Sequence, residues 1–354
     1  MSHPYENLPG RAFWRSAVAE PGPDGIREIA TCKNPLRRED VIATAGSCFA
    51  QHISRRLKAQ GFNYLDMEPP PPRLPDTLHG RFGYGMFSAR YGNVYTSTQL
   101  LQLIRRTRGQ FIPKENLWAR DGRWYDPFRP NIEPNGFASE AEAMASQAAH
   151  LRAVQRMTRR MDVFVFTLGL TEAWRSREDG AVYPVCPGII AGSFDSARHE
   201  FVNLDYETIL DEMQTALTLL RRAKPELRVL LTVSPVPLTA TASGEHILTA
   251  TTYSKSVLRA VAGRLTALHD WVDYFPSYEL VTAPIFGGRA YAENWREIAS
   301  TGVDFVMEAF LREFCAINPG DAPPAAPVAR RRKAASEDEE DVVCEDMALG
   351  FYAP

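Results

Sequence analysis

Two side chains capable of nucleophilic chemistry stand next to each other in "GSCFA", residues 46–50: Ser47 and Cys48. The apolar run "DVIATAG" (40–46) leads into them, and a helical pattern carrying Phe49, Ile53 and Leu57 leads away. A serine at a strand-to-helix turn presents its hydroxyl beside a helix N-terminus. Backbone N–H groups and the positive helix end can stabilise an oxyanion there, which is what acyl transfer needs. Serine is also a common helix cap, and by spacing alone the cap is the favoured reading. Cys48 would gain acidity at a helix N-terminus. One residue further on, however, it faces away from Ser47, and buried structural cysteine is the better assignment.

Three more apolar runs resemble the first: "DVFVFTLG" (162–169), "LRVLLTVSPV" (227–236) and "WVDYFPSYE" (271–279). They lack polar alternation and end in Gly, Pro or Ser, as strands buried on both faces do in parallel sheets. "FNYLD" (62–66) is a weaker fifth strand. Helical periodicity is expected at 48–60, 205–223, 254–270 and 301–316, with an Ala-rich helix at 138–160. Strands alternating with helices predict an α/β fold with a parallel sheet. Ligands in such sheets lie at the carboxyl ends of the strands. Gly46, Ser47, Gly169, Thr171, Glu172, Ser234 and Ser277 should therefore face one crevice. Lys255 in "YSKS" is read as beginning a helix, where a cation is unfavourable. That hints at anion or substrate binding, with a solvated lysine as the alternative. Trp174, Arg175 and Tyr183 are candidates for stacking on a sugar-like substrate, and equally for packing.

Residues 67–160, with "MEPPPPRLP" and many glycines and aromatics, are too long for a plain connection and are read as an insertion near the strand ends. The domain organisation is then an N-terminal extension (1–34), one domain (35–317), and a charged tail (318–354) with too little apolar surface to fold alone. The tail is a candidate for binding a protein partner.

The 354-residue chain is 45% hydrophobic and carries 40 basic and 43 acidic residues, a net charge of −3. Residues 318–354 hold four basic and eight acidic residues, so the remainder is about neutral. No basic field points to nucleic acid. The five cysteines (Cys32, Cys48, Cys186, Cys315 and Cys344) have no zinc-ligand spacing. No apolar run approaches a membrane span, and no signal-like segment opens the sequence. A cytoplasmic protein without metal or cofactor is the expectation. "RFGYG" (81–85) lacks the context of a nucleotide loop.

The motif "GSCFA" (46–50) is joined, in order, by "GNVYTSTQLLQL" (92–103), "FVFTLGLTEAW" (164–174), "YPVCPG" (183–188), "TVSPVPL" (232–238), "TTYSKSVLRAVA" (251–262) and "YFPSYELV" (274–281). Across residues 35–316 this pattern resembles the GSCFA domain family, itself similar to the SGNH/GDSL hydrolases. The resemblance implies a flavodoxin-like three-layer α/β/α sandwich with a serine nucleophile at Ser47. It places the oxyanion glycine on Gly92, with Asn93 beside it. Thr171 stands where that pattern has an oxyanion-binding asparagine. The usual closing Asp-x-x-His is replaced by Glu293 and Arg296, and arginine is no base near neutral pH.

Either the base then comes from elsewhere, or there is none. Of seven histidines, His246 is favoured because its loop follows the "LRVLLTVSPV" strand. His79 and His199 are further candidates, His52 and His269 are assigned to their helices, and Glu172 is the rival base. The expected function is ester hydrolysis, or O-acyl transfer to a small molecule or glycan, through an acyl-serine at Ser47. The alternative is a binding or scaffold module for carbohydrate or a protein partner.

Overall fold

The apolar runs become strands because they are β-branched, aromatic or small on both faces. The computed structural model describes residues 3–316 and Leu349; apart from Leu349, the tail read at 318–354 lies outside them. In chain order its strands are β1 (Ile42–Gly46), β2 (Trp118–Arg120), β3 (Arg123–Tyr125), β4 (Val163–Leu168), β5 (Glu172–Ser176), β6 (Val182–Tyr183), β7 (His199–Asn203), β8 (Arg228–Val233) and β9 (Val272–Phe275). The α-helices are α1 (Gly22–Gly25), α2 (Ala50–Ala59), α3 (Ser97–Arg106), α4 (Glu140–Arg160), α5 (Tyr206–Ala223), α6 (Ile247–Leu268), α7 (Ser277–Thr282) and α8 (Ser300–Phe314).

β1, β4, β8 and β9 form one parallel sheet in the order β1-β4-β8-β9. The expected strand 62–66 is reduced to one parallel bridge, Ile42 to Tyr64. The Ile42 N–H donates to Asn63 at 3.0 Å, and the Leu65 N–H donates to Ile42 at 2.8 Å. The prolines that follow at 69–72 carry no N–H and cannot extend a ladder. Ser88 takes over the edge: its Oγ accepts from the Thr44 N–H at 3.0 Å. With that bridge counted as the second element, the order is flavodoxin-like. The topological switch then falls between β1 and β4.

Alternate strand residues enter two cores. Ala43, Phe164, Phe166, Leu231 and Val272 pack with α3, α4, α5 and α6. Ile42, Val163, Val165, Leu230 and Phe275 pack with residues of α2, α7 and α8. The fold is a three-layer α/β/α sandwich. Side-chain caps start the helices where sequence predicts: Ser139 accepts from Glu142 N–H, and Asp205 accepts from Thr208 N–H.

Three details go beyond the sequence reading. First, the segment read as an insertion, 67–160, shares the main core with the sheet through Leu100, Leu101, Ile104, Val154 and Met157 from α3 and α4. The segment is the crossover into β4. Second, α6 begins at Ile247, so Lys255 lies well inside a helix rather than at its start. Third, residues 170–203 hold an unforeseen antiparallel sheet, β6-β5-β7.

The crossover is held by a buried ion pair. Asp126 and Arg129 are each 2% exposed, with Nε to Oδ2 at 2.7 Å. Arg129 also donates to Ser146 Oγ at 3.0 Å. Removing one partner strands the other charge in the interior. Asp126→Ala is expected to lower stability by about 3–5 kcal/mol, read as the shift in urea midpoint at unchanged slope.

Candidate functional site

Ser47 sits at the switch point. Gly46, the last residue of β1, has φ +130°, and a Cβ there would lie 2.4 Å from the Thr167 carbonyl oxygen. Only glycine lets the chain turn so close to β4. The Ser47 N–H donates to Thr167 at 3.1 Å. Segment 92–95 then lies across both strand tips: Val94 N–H donates to Gly46 at 2.9 Å, and Gly169 and Leu170 N–H both donate to Tyr95 at 3.0 Å. A Cβ on Gly169 would meet the Ser47 Cβ at 2.9 Å, so this glycine makes room for the serine. Ser47 is 2% exposed, and its Oγ has no hydrogen-bond partner. A buried hydroxyl left unsatisfied costs free energy. Ser47 does not cap α2: Phe49 is the N-cap residue, and no side chain bonds there. Cys48 is buried, as expected.

The second strand end is tied down from inside. The Thr171 N–H donates to Ser254 Oγ at 3.1 Å, and the Thr171 hydroxyl donates to Asn203 Oδ1 at 2.6 Å. Both Thr171 donors are thus committed to the fold, which corrects the expectation that its hydroxyl faces an oxyanion. The Ser47 N–H, engaged by β4, is committed likewise. Lys255 is buried, and its Nζ donates to the Gly169 carbonyl at 2.8 Å. It therefore braces the strand tip that faces Ser47, rather than standing in solvent. Ser254 and Asn203 were not singled out from sequence. Ser254 carries a signal in hindsight, a small hydroxyl one residue from a buried lysine. Glu172 accepts from the Thr241 hydroxyl at 2.7 Å. Burial raises its carboxyl above the usual range, opposed by the Thr241 hydroxyl and the Ala242 N–H.

None of the histidines is hydrogen-bonded to Ser47 Oγ. His246 is exposed at the N-cap of α6, where its Nδ1 accepts from Leu248 N–H at 3.2 Å. His199 is buried between Glu115, at 2.9 Å from Nε2, and the Asp195 N–H on Nδ1. Nε2 therefore carries the proton and donates to Glu115, a structural arrangement. His79 contacts the Leu74 carbonyl at 3.1 Å. Glu293 is exposed, and Arg296 is half-buried with its N–H on Asn294 Oδ1 at 3.1 Å. That segment is tied to the end of β8 by Tyr291, whose hydroxyl donates to Pro235 at 3.3 Å.

His52, on α2, packs its ring against Phe49 at 5.5 Å between centroids. Burial, aided by Arg55, pushes its pKa down to about 4. Unfolded histidine titrates near 6.5. Between these values the unfolded chain holds a proton that the folded chain does not. Stability is therefore full above pH ~6.5 and falls as pH drops towards 4. His52→Gln is expected to remove roughly 2–3 kcal/mol of the stability difference between pH 7 and pH 4, measured by urea midpoints for both proteins.

A cleft of about 210 Å³ is lined by Arg81, Met86, Phe87, Gly92, Asn93 and Ile132, among others, and reaches the 92–95 segment at Gly92 and Asn93 without including Ser47 in its lining. Gly92 has φ +66°, and Asn93 is buried. The cleft lining mixes apolar residues with Arg81, Asn93 and Asn131. Trp174 packs edge-on to Phe194 and Phe201, so it is part of an aromatic cluster on the antiparallel sheet.

A family model described as "GSCFA family" matches residues 41–310, most of the chain and all of this site. The chain belongs to the GSCFA family. No curated protein sequence matches it. Among solved structures, this GSCFA protein is similar to a carbohydrate esterase family 3 protein from Talaromyces cellulolyticus. The identity is 12% and the TM-score 0.34, over 77% of this chain and 94% of that one. It is also similar to a candidate platelet activating factor from Streptococcus pneumonia, at 11% identity and TM-score 0.27, over 44% of this chain and 60% of that one. The GSCFA chain thus spans under two thirds of the length of this second protein. Among the described residues no group of His, Cys, Asp or Glu could hold a metal ion, and no helix is long and apolar enough to cross a membrane.

Proposed function

We propose that this GSCFA protein cleaves or transfers an acyl group through an ester formed at Ser47. The observation that supports this most is the Ser47 hydroxyl itself: buried at the switch point of the sheet, beside a glycine kept bare for it, with no hydrogen-bond partner. In this reading Ser47 Oγ attacks the ester carbonyl, its proton passes to a base, and the alkoxide leaves with a proton in return. Water or an acceptor hydroxyl, such as that of a glycan, then takes the acyl group from the serine. Gly92 and Asn93, which line the cleft, are the residues assigned to the oxyanion.

His246 is assigned as the base. Its ring caps α6 in this structure, so acting on Ser47 requires that bond to be exchanged. His246→Ala is expected to lower kcat by about 10²–10⁴-fold on a short-chain p-nitrophenyl ester while changing stability by about 1 kcal/mol. An unchanged kcat with only the stability loss would assign His246 to the cap alone.

A second reading is favoured by one observation. The Ser47 N–H and both Thr171 donors are spent inside the fold. A cleft that has kept its shape without its oxyanion donors would serve to bind carbohydrate or a protein segment. Turnover of short acyl esters by the wild-type chain separates the two: measurable, serine-dependent turnover supports the enzyme, and its absence supports the binding module.

A further inference from the structure

Among the described residues, one buried charge not accounted for by the fold is Arg106, at the C-terminal end of α3. It is 9% exposed, and its guanidinium lies 3.9 Å over the Phe128 ring. Among the described residues that guanidinium makes no hydrogen bond and no ion pair, and its nitrogens keep some contact with the pocket's opening. The nearest carboxylate, Asp126, is occupied: Oδ2 accepts from Arg129 at 2.7 Å, and Oδ1 accepts from the Phe128 N–H at 3.1 Å. Burial pushes the Arg106 pKa down, with Asp126 opposing and Arg129 adding to the effect. A guanidinium stays charged in proteins all the same.

Arg106 lines a small, partly open pocket of about 30 Å³, together with Asn93, Gln102, Arg129 and His150. No carboxylate lines it. The surrounding groups are fixed. Gln102 Nε2 donates to Gly180 at 2.7 Å, and its Oε1 accepts from Val182 N–H at 2.9 Å. His150 Nδ1 is 2.7 Å from Glu68. Burial pushes the Glu68 carboxyl up, but His150, Arg129 and the Arg90 N–H together hold it down at about 2, so its negative charge is spent on the far side of His150.

We propose that this cavity binds one small monovalent anion on Arg106. Water molecules in the cavity could satisfy N–H groups but would leave a buried cation uncompensated, which the interior penalises strongly. A water needs roughly 10–15 Å³, so the space suits two water-sized groups, a halide or formate. The two guanidinium groups supply the charge, and Arg106 supplies the unspent donors. Asn93 lines both this cavity and the larger cleft. The bound anion would thus sit behind one wall of the candidate site, although its binding does not depend on any chemistry at Ser47.

The test uses the full chain. Crystals soaked in sodium bromide are expected to show one anomalous peak in the cavity, in contact with Arg106. At constant ionic strength, set with gluconate, chloride or formate is expected to raise Tm by roughly 2–4 °C to a plateau. A plateau with chloride alone assigns an inorganic ion, and a plateau with formate alone assigns a carboxylate source. Arg106→Met should abolish the dependence; if that variant does not fold, the wild-type bromide map decides. An empty cavity in the bromide map, with a Tm indifferent to both anions, would overturn the proposal.

Discussion

Ser47→Ala is expected to abolish ester cleavage, a loss of about 10⁴-fold or more in kcat/KM, while leaving the protein as stable as wild type or slightly more so. The two halves of this result have one cause. The Ser47 Oγ is buried without a partner, and an unsatisfied buried hydroxyl costs about 1–3 kcal/mol. Alanine removes that cost and leaves the backbone bond from residue 47 to Thr167 intact. A serine serving as a structural cap or packing group would behave in the opposite way. It would lose stability on truncation, with any activity loss following from unfolding. Thermal melts alongside steady-state rates on a short acyl ester distinguish the two. A variant that is less stable by more than ~1 kcal/mol, with activity per folded molecule unchanged, would contradict the assignment of Ser47.

Gly46→Ala has the largest expected effect on stability of any single methyl addition in the site. The added Cβ would fall 2.4 Å from the Thr167 oxygen and 2.6 Å from its nitrogen. Both are backbone atoms of a central strand and cannot turn aside as a side-chain tip can. The φ of +130° adds backbone strain. Together these should cost about 3–4 kcal/mol, visible as a lower urea midpoint. Because β1 and β4 must part to admit the methyl, Ser47 moves with them, and residual folded protein should also lose activity. A cost under ~1 kcal/mol would mean that the strand ends are looser than the ladder of β1 on β4 requires.

How much of this was legible in the sequence follows from which interactions are local. The four buried strands could be read because runs such as "VFVFTL" contain little that tolerates water on either face. The helices α2, α5 and α8 could be read from a 3.6-residue apolar period and their flanking stops. The bridge at Tyr64 in place of a strand was hidden, because after Leu65 the chain turns its next backbone donor, Met67 N–H, to the Ser88 carbonyl instead of to β1. The antiparallel sheet β6-β5-β7 was hidden for another reason. Its strands are short and partly polar, and Glu172 to Asn203 pair across a long loop, which no local period records.

Within the site, sequence position brought Gly46, Ser47, Gly169, Thr171 and Glu172 to the strand ends, and the sheet register accounts for that. The orientations were not accessible. Whether the Thr171 hydroxyl turns to the crevice or to Asn203, and whether Lys255 meets solvent or the Gly169 carbonyl, depends on partners 32 and 86 residues away. Arg106 illustrates the same limit. In sequence it is the last residue of a helix, where a cation is ordinary. Only the packed structure shows it turned inward, over Phe128 and without a hydrogen bond.

The central claim is that Ser47 is a nucleophile, and one measurement bears on it directly. The wild-type chain is incubated with a fluorophosphonate ester probe, digested, and the adduct mapped by mass spectrometry, with Ser47→Ala treated in parallel. The prediction is one phosphonylated peptide carrying the modification on Ser47, absent from the variant. No adduct on the folded wild-type protein, or an adduct on Cys48 that persists in Ser47→Ala, would contradict it.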